Sequence, residues 1–230
     1  MRRCLFCDEE RNEVLTWRSL LLKVEEKMIC EGCESRLEKI SGETCQVCSR
    51  ELEEKFRMGN QCLDCVRWEK DEKWKGYLTK NVSIFHYNEY LKEIIAKYKY
   101  RRDYALAEAF VPFLRERMKS IDFEIITVIP LSEERLKERG FNQAQAFTDL
   151  LGLETVEVLT RLHTEKQSKK SREERISLPQ VFQVTKTDVI QNKSVLIVDD
   201  IYTTGSTLRH AAKILKIAGA REVSSITLAR

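Results

Sequence analysis

The placement of the cysteines constrains this chain more than any other feature. All eight cysteines lie between residues 4 and 65 of a chain of 230 residues. They form four C-x-x-C pairs, which are Cys4/Cys7, Cys30/Cys33, Cys45/Cys48 and Cys62/Cys65. In a reducing cytosol, cysteines paired at this spacing are more often metal ligands than disulfides. The sequence therefore predicts a local metal-binding module near the amino end.

The number of cysteines predicts two structural zinc ions, because two C-x-x-C pairs complete one tetrahedral Cys₄ site. Sequential pairing joins the first pair with the second and the third with the fourth. It is favoured over a crossed arrangement because it closes shorter loops. An iron–sulfur cluster or redox-active cysteines would also fit this spacing. A closed site has no open coordination position, so we expect zinc to fold the module rather than to catalyse a reaction.

A strand, a polar loop and a helix are predicted near the carboxyl end. Val195–Val198 is an apolar, mostly β-branched run, which is typical of a strand buried on both faces of a parallel sheet. Apolar residues then recur at helical spacing over Leu208–Ala218, and Gly219 ends the helix. Val223–Leu228 supplies a further strand. Together with the apolar run Ile125–Leu131, these elements predict an α/β domain.

The residues between this strand and this helix suit a sugar phosphate. The loop is expected at the carboxyl end of a strand, where open α/β sheets bind ligands. Free N–H groups at the start of a helix attract phosphate, and glycine permits its close approach. Asp199 and Asp200 suit a sugar diol and the Mg²⁺ that accompanies a pyrophosphate. The candidate phosphate-binding residues are Thr203, Thr204, Gly205, Ser206 and Thr207.

The segment VLIVDDIYTTGST resembles the signature with which type I phosphoribosyltransferases bind phosphoribosyl pyrophosphate (PRPP). The resemblance implies that Asp199 and Asp200 contact the ribose hydroxyls and that residues 203–207 hold the 5′-phosphate. Family members that use oxopurines carry a carboxylate where this chain has Thr203. Its absence argues against oxopurine transfer, whereas PRPP binding is still expected.

Two polar segments in the middle of the chain could contact a pyrophosphate. Arg135 and Arg139 lie four residues apart, so they could share one helix face and donate to pyrophosphate oxygens. A solvated helix with balancing glutamates is the alternative, and charge alone favours it. The run Lys166–Arg175 is expected to be a mobile surface loop, which could close over pyrophosphate or simply be solvated.

A third basic segment is a candidate for nucleic-acid contacts. The net charge of the chain is only +3, so the distribution of charge matters more than its sum. Cations among tyrosines are typical of single-strand nucleic-acid grooves, but also of an amphipathic helix whose tyrosines point inward. The sequence alone favours the helix slightly. The candidate contact residues are Lys97, Lys99, Arg101 and Arg102.

The full length of the chain resembles the ComF family of late competence proteins. The resemblance rests on the eight cysteines, the K-Y-R-R segment at Lys99–Arg102, the R-G-F-N-Q-A string within Pro130–Ala144, the E-K-Q-S-K-K run at Glu165–Lys170, and the Asp199–Thr207 loop. It implies that the two arginines of the central segment bind PRPP. It also implies a role in natural transformation, in which single-stranded DNA and a helicase-like competence ATPase are partners in DNA uptake across the inner membrane.

Two further hypotheses remain open at this point. The chain could be a phosphoribosyltransferase acting on an unidentified base or amine, or a sensor of PRPP that has lost its chemistry. The intact acids and loop favour retained ligand binding. No base-recognition motif is visible, so the sequence assigns no catalytic residue.

We expect two domains, which are a double zinc-ribbon module over residues 1–75 and a phosphoribosyltransferase-like α/β domain over residues 76–230. Loss of Cys45 is expected to unfold the module and to spare the α/β domain. No apolar run approaches the ~18–20 residues of a membrane span, and the amino terminus has no apolar signal region. A cytoplasmic protein is therefore expected, which could reach the inner face of the membrane through partners.

Overall fold

A computed structural model describes residues 2–11, 27–162 and 181–230 of the chain. The strands are β1 (Arg2–Arg3), β2 (Glu10–Arg11), β3 (Arg57–Met58), β4 (Gln61–Cys62), β5 (Lys80–Phe85), β6 (Ile125–Val128), β7 (Leu159–Arg161), β8 (Phe182–Val184), β9 (Ser194–Ile201) and β10 (Glu222–Ala229). The helices are α1 (Glu31–Ser35), α2 (Leu63–Lys70), α3 (Glu89–Tyr100), α4 (Val111–Met118), α5 (Glu133–Arg139), α6 (Gln143–Leu151), α7 (Thr187–Ile190) and α8 (Ser206–Ile217). Within these ranges, no helix is long and apolar enough to cross a membrane.

A four-stranded parallel sheet organises the larger part of the chain, in the order β5-β10-β9-β6. Strand β10 pairs with β5 on one side and with β9 on the other, and β6 pairs with β9. The predicted α/β class and parallel sheet are therefore confirmed. The predicted run Val195–Val198 lies within β9, which continues to Ile201. Asp199 and Asp200 thus belong to the end of the strand and not to the loop after it.

Strand β9 is buried on both faces, as its apolar run predicts. Leu196 and Val198 belong to one core, which also contains buried residues of α3, α4 and α6. Val195 and Ile197 point to the opposite face and belong to a second core with α8. Successive side chains of a strand alternate between the two faces of the sheet. The sheet therefore lies between two layers, and the polar end of β9 opens at their edge.

The amino-terminal module contacts both faces of this sheet. Cys4 and Cys33 are buried in the core that contains α3, whereas the four cysteines of residues 45–65 are buried in the core that contains α8. Backbone bonds also join the module to β5, with Asn81 N donating to the Val47 carbonyl at 2.7 Å. The module is thus part of the packing that covers the sheet. The domain boundary between residues 75 and 76 stays a prediction.

These contacts favour a different result for Cys45 than the one expected from the sequence. We expect Cys45→Ser to destabilise the α/β domain together with the module, by more than about 3 kcal/mol, because the metal organises part of a shared core. Hydrogen exchange of β9 and β10 amides under native conditions measures this effect. Cys7→Ser, at the exposed cysteine of the other group, is the matched control and should cost less. Unchanged protection of β9 and β10 in Cys45→Ser would show that the two parts fold independently.

Candidate functional site

The cysteines form two groups, which are Cys4, Cys7, Cys30 and Cys33, and Cys45, Cys48, Cys62 and Cys65. Within each group the sulfurs all lie within 4.8 Å of one another. Two sulfurs bound to one tetrahedral zinc at about 2.3 Å lie about 3.8 Å apart. The Cys7 and Cys30 sulfurs are 3.8 Å apart, and those of Cys48 and Cys62 are 3.6 Å apart. Sequential pairing is therefore confirmed, and both groups fit a tetrahedral metal ion; that the metal is zinc stays a prediction.

Two arginines of the α/β domain donate to the second cysteine group, which comprises Cys45, Cys48, Cys62 and Cys65. Arg230 Nη1 lies 2.6 Å from the Cys48 sulfur and 3.0 Å from the Cys48 carbonyl oxygen. Arg209 Nη2 lies 3.7 Å from the Cys65 sulfur, and its guanidinium is completely buried. Four thiolates around a divalent ion carry a net negative charge, which guanidinium groups offset. The second group is thus electrostatically connected to the sheet and to α8.

A cleft of about 420 Å³ lies at the carboxyl end of β9. It brings together residues from β7, α3, α5 and the start of α8, which are distant in sequence. Eight of the nine residues predicted to bind PRPP line it, namely Asp199, Asp200, Thr203, Thr204, Ser206, Thr207, Arg135 and Arg139. Such a cleft at a strand end is where open α/β sheets bind ligands.

The ninth predicted residue, Gly205, does not line the cleft but allows the loop to turn tightly over Tyr202. It is the N-cap of α8 and has a φ of +78°, in the left-handed region that favours glycine. A Cβ atom at this position would overlap the hydroxyl group of Tyr202, a residue that is itself 3% exposed. The loop therefore turns tightly over the tyrosine ring, and α8 begins at Ser206 with its N-terminus at the cleft.

The second cysteine group and its neighbouring helix α2 contact the loop between β9 and α8 directly. Trp68 Nε1, on α2, donates to the Thr204 carbonyl at 3.1 Å. Arg209, in the first turn of α8, donates to Glu69 Oε1 at 2.8 Å as well as to the Cys65 sulfur. The Arg209 guanidinium also lies over the Trp68 ring, 5.1 Å from its centroid. The position of the loop thus depends on a helix that follows Cys62 directly and contains Cys65, two residues of the second cysteine group.

The two acids at the end of β9 differ in their surroundings. Burial raises the pKa of Asp199 from 3.8 to about 8, and the neighbouring Asp200 carboxylate acts in the same direction. Asp200 makes an ion pair with Lys99, and both side chains are 14% exposed. The Asp199 carboxylate accepts a hydrogen bond from its own neighbour, Asp200 N, at 2.9 Å. One acid is thus stabilised in its neutral form while the other is balanced by a lysine.

The R-G-F-N-Q-A string forms the turn between α5 and α6. Gly140 ends α5 with a φ of +81°, and the Asn142 side chain caps α6 by accepting from Ala144 N. Asn142 Nδ2 donates to the Ile129 carbonyl at 2.9 Å, which fixes the turn to the end of β6. Arg139 Nη1 donates to Gln143 Oε1 at 2.8 Å. The string therefore places its arginine on the cleft through a rigid local structure.

The four basic residues predicted to contact nucleic acid do not form one surface. Lys99 lines the cleft, and Lys97 donates to the Phe6 carbonyl at 3.4 Å. Arg102 donates to the Glu138 carbonyl at 3.2 Å and to the Lys137 carbonyl at 2.9 Å, at the end of α5. Arg101 is exposed at the end of α3. The segment thus forms the amphipathic helix that the sequence favours slightly, with Tyr98 buried.

Two titratable residues of the cleft were not predicted from the sequence. Arg161, in the short strand β7, lines the cleft with the acids. Burial and the nearby charge of Arg135 lower the pKa of Arg161, and Asp199 acts in the opposite direction. His210 lines the cleft one turn into α8, and burial lowers its pKa to about 4. Neither residue lies in a recognisable motif. The predicted Glu165–Lys170 and Lys166–Arg175 runs lie outside the described residues.

Comparison with known proteins identifies the class. Residues 117–230 match the family described as "Phosphoribosyl transferase domain". That range includes β6, β9 and β10 of the sheet and most of the cleft. Together with the parallel sheet, the match defines a phosphoribosyltransferase-type α/β domain, preceded by two cysteine groups.

Relatives extend this similarity to the full chain. It is 34% identical over 229 residues to Competence protein ComFC of Streptococcus pneumoniae, which covers 99% of this chain and 100% of that protein. It is 36% identical over 231 residues to Competence protein ComFC of Bacillus subtilis, and the match covers 99% of this chain and 94% of that protein. Competence protein F of Haemophilus influenzae is 28% identical over 226 residues, and the match covers 91% of this chain and 93% of that protein. The chain belongs to the ComFC family of competence proteins, which confirms the resemblance.

The tight turn at Gly205 generates one prediction. Gly205→Ala should lower the free energy of unfolding by at least about 2 kcal/mol more than Gly42→Ala, because only the first substitution adds a clash. Both glycines have a positive φ, +78° and +69°, but nothing lies within 4 Å of a Cβ at Gly42. Urea denaturation measures the difference. Equal losses of unfolding free energy in the two variants would show that the Tyr202 ring leaves room for a Cβ atom at position 205.

The raised pKa of Asp199 generates a second prediction. A group whose pKa is higher in the folded than in the unfolded chain loses its stabilising contribution as the pH rises through the folded value. Asp199→Asn should therefore stabilise the protein by less than about 1 kcal/mol at about pH 4 and by several kcal/mol at about pH 8, since one unit of pKa is worth about 1.4 kcal/mol. Urea denaturation at both values measures this, with Asp122→Asn at an exposed acid as the control. A gain that does not grow with pH would contradict the raised pKa of Asp199.

Proposed function

We propose that this cleft binds PRPP together with Mg²⁺. The observation that best supports the proposal is that one cleft joins two strand-end acids, the hydroxyl-rich start of a helix and three arginines. Asp199 and Asp200 would accept hydrogen bonds from the ribose hydroxyls, and the Thr203–Thr207 loop would hold the 5′-phosphate. Arg135 and Arg139 would donate to the pyrophosphate, because a planar guanidinium group can donate two parallel hydrogen bonds to phosphate oxygens. The acid oxygens are also suitable ligands for Mg²⁺, which would neutralise part of the pyrophosphate charge.

We propose further that the protein acts in natural transformation by binding single-stranded DNA. The names of its relatives support the competence role, and the residues around the cleft support the choice of ligand. Arg135 lines the cleft from α5 and is exposed. Exposed arginines near a phosphate site can follow a sugar–phosphate backbone. In this proposal the protein works in the cytoplasm, near the inner face of the membrane, with a helicase-like competence ATPase in DNA uptake.

One experiment tests both ligands. Fluorescence anisotropy of a labelled single-stranded oligonucleotide is measured against the metal-loaded protein at two salt concentrations, with and without Mg²⁺–PRPP. We expect binding that weakens steeply with salt, because phosphate contacts release counterions. We also expect PRPP to weaken it at least about threefold if DNA and PRPP share the arginines. In Asp199→Asn/Asp200→Asn protein, the effect of PRPP should disappear while DNA binding remains.

The outcomes separate the parts of the proposal. DNA binding that is indifferent to PRPP, with PRPP binding retained, would place the two ligands at separate sites. PRPP affinity that is unchanged in the double asparagine variant would overturn the assignment of the acids. An absence of DNA binding would remove single-stranded DNA from the proposed function.

The second candidate function is phosphoribosyl transfer to an unidentified base or amine. The position of Arg161 favours it, because a third arginine joins the pair from α5 on a cleft that also holds the acids. Loss of pyrophosphate passes through an oxocarbenium-like state, and arginines would stabilise the leaving charge electrostatically. Pyrophosphate release from PRPP in the presence of candidate acceptors is the assay that distinguishes a transferase from a protein that only binds PRPP.

A further inference from the structure

Lys99 occupies an unexpected position in the cleft. Its ammonium group is paired with Asp200, and both side chains are largely buried, each with 14% exposure. The same cleft is lined by Arg135, Arg139 and Arg161. Those arginines lie in the region proposed for pyrophosphate, whereas Lys99 pairs with Asp200, one of the two acids proposed for the ribose. A cation therefore already lies where a divalent ion would neutralise the acids.

The fold fixes this lysine in place through its neighbours on α3. Tyr98 is completely buried, and its hydroxyl donates to the Gln143 carbonyl at 2.8 Å. Leu91, Ile94 and Ile95 anchor the same helix in the core. Because the preceding residue points inward and is bonded to α6, the backbone at Lys99 cannot rotate without breaking buried contacts. The ion pair is thus a built feature of the cleft and not a chance surface contact.

Its closest counterpart in the same helix behaves differently. Lys97 is two residues earlier, donates to the Phe6 carbonyl, and does not line the cleft. Arg102 follows the helix and caps α5 by donating to two of its carbonyls. Among these residues of the described chain, only Lys99 pairs with an acid of the cleft. A comparison between Lys99 and Lys97 can therefore isolate the effect of a cation at the acids.

We propose that Lys99 is a built-in counter-ion for Asp200, so that the cleft binds a ribose 5-phosphate that lacks a diphosphate without needing a divalent cation. This inference rests on the proposed binding of PRPP at the same site, and it adds a second ligand class. A ligand with a sugar diol and a phosphate monoester needs oriented acids and the loop, but it brings no metal of its own. The ammonium group holds the Asp200 carboxylate in place for the diol. A diphosphate ligand with Mg²⁺ must instead compete with Lys99 for that carboxylate.

Isothermal titration calorimetry tests this with the full-length, metal-loaded protein and ribose 5-phosphate as the probe. One titration uses a buffer depleted of Mg²⁺ by prior passage over a chelating resin, which leaves the cysteine-bound metal in place. The other uses excess Mg²⁺. In the wild type we expect binding in both buffers, with affinities within about twofold of each other. Lys99→Met removes the charge and keeps the apolar stem, and Lys97→Met is the matched control.

We expect Lys99→Met to weaken ribose 5-phosphate binding at least about tenfold without Mg²⁺, because one charge-assisted contact to the acid is lost. Mg²⁺ should restore most of the affinity, since the ion can take the place of the lysine. Lys97→Met should bind like the wild type in both buffers. Lys99→Arg keeps the charge, and it should retain binding without Mg²⁺. Lys99→Gln gives a second neutral variant, so the result does not depend on how the methionine packs.

The results distinguish this inference from the proposed function. Wild-type protein that binds Mg²⁺–PRPP but requires Mg²⁺ for ribose 5-phosphate would overturn the role of Lys99 and leave PRPP binding intact. Equal metal-free affinity in the wild type and both neutral variants would also overturn it. A wild type that binds neither ligand in either buffer would overturn the proposed PRPP site and this inference together.

Discussion

The contacts between two arginines and the second cysteine group are the interaction on which the arrangement of this protein depends. Four thiolates around a metal ion form a buried negative charge, and such a charge is costly unless it is compensated. Arg209 supplies one partner from α8, and Arg230 supplies the other from the residue after β10. Because Arg209 lies in the helical turn that follows the phosphate loop, the same contact that balances the metal site also fixes the start of α8. The second cysteine group is thus distant from the loop between β9 and α8 in sequence but adjacent to it in structure.

The charges of the cleft are distributed unevenly, and this distribution bears on the ligand that we propose for it. The end of β9 contributes Asp199, whose burial favours the neutral form, and Asp200, which Lys99 balances. Helix α5 and strand β7 contribute Arg135, Arg139 and Arg161, and the described lining contains no further acid. A ligand with hydroxyl groups at one end and phosphate charge at the other matches this polarity. A uniformly charged anion would have to leave either the acids or the arginines without a suitable partner.

The elements of the domain that depend on local patterns were predicted from the sequence. The strand at Val195–Val198, the sequential pairing of the cysteines and the loop after Asp200 all follow from short-range spacing, and the structure contains each of them. The features that were missed depend on long-range packing. The charge pattern of α3 does not indicate which way Lys99 points, because this follows from the burial of Tyr98 against α6. Arg161 reaches the cleft through a three-residue strand without any motif.

The two cysteine groups differ in their exposure to solvent, and this affects how firmly each would retain its metal. All four cysteines of the second group are buried, whereas Cys7 of the first group is exposed and Cys30 is partly exposed. Chelators and oxidants reach exposed thiolates first, so the ion of the first group should exchange faster. A bulk metal analysis of purified protein could then give a stoichiometry between one and two. That value would describe a mixture of fully and partly loaded molecules, in which the buried second group would be the one that stays occupied.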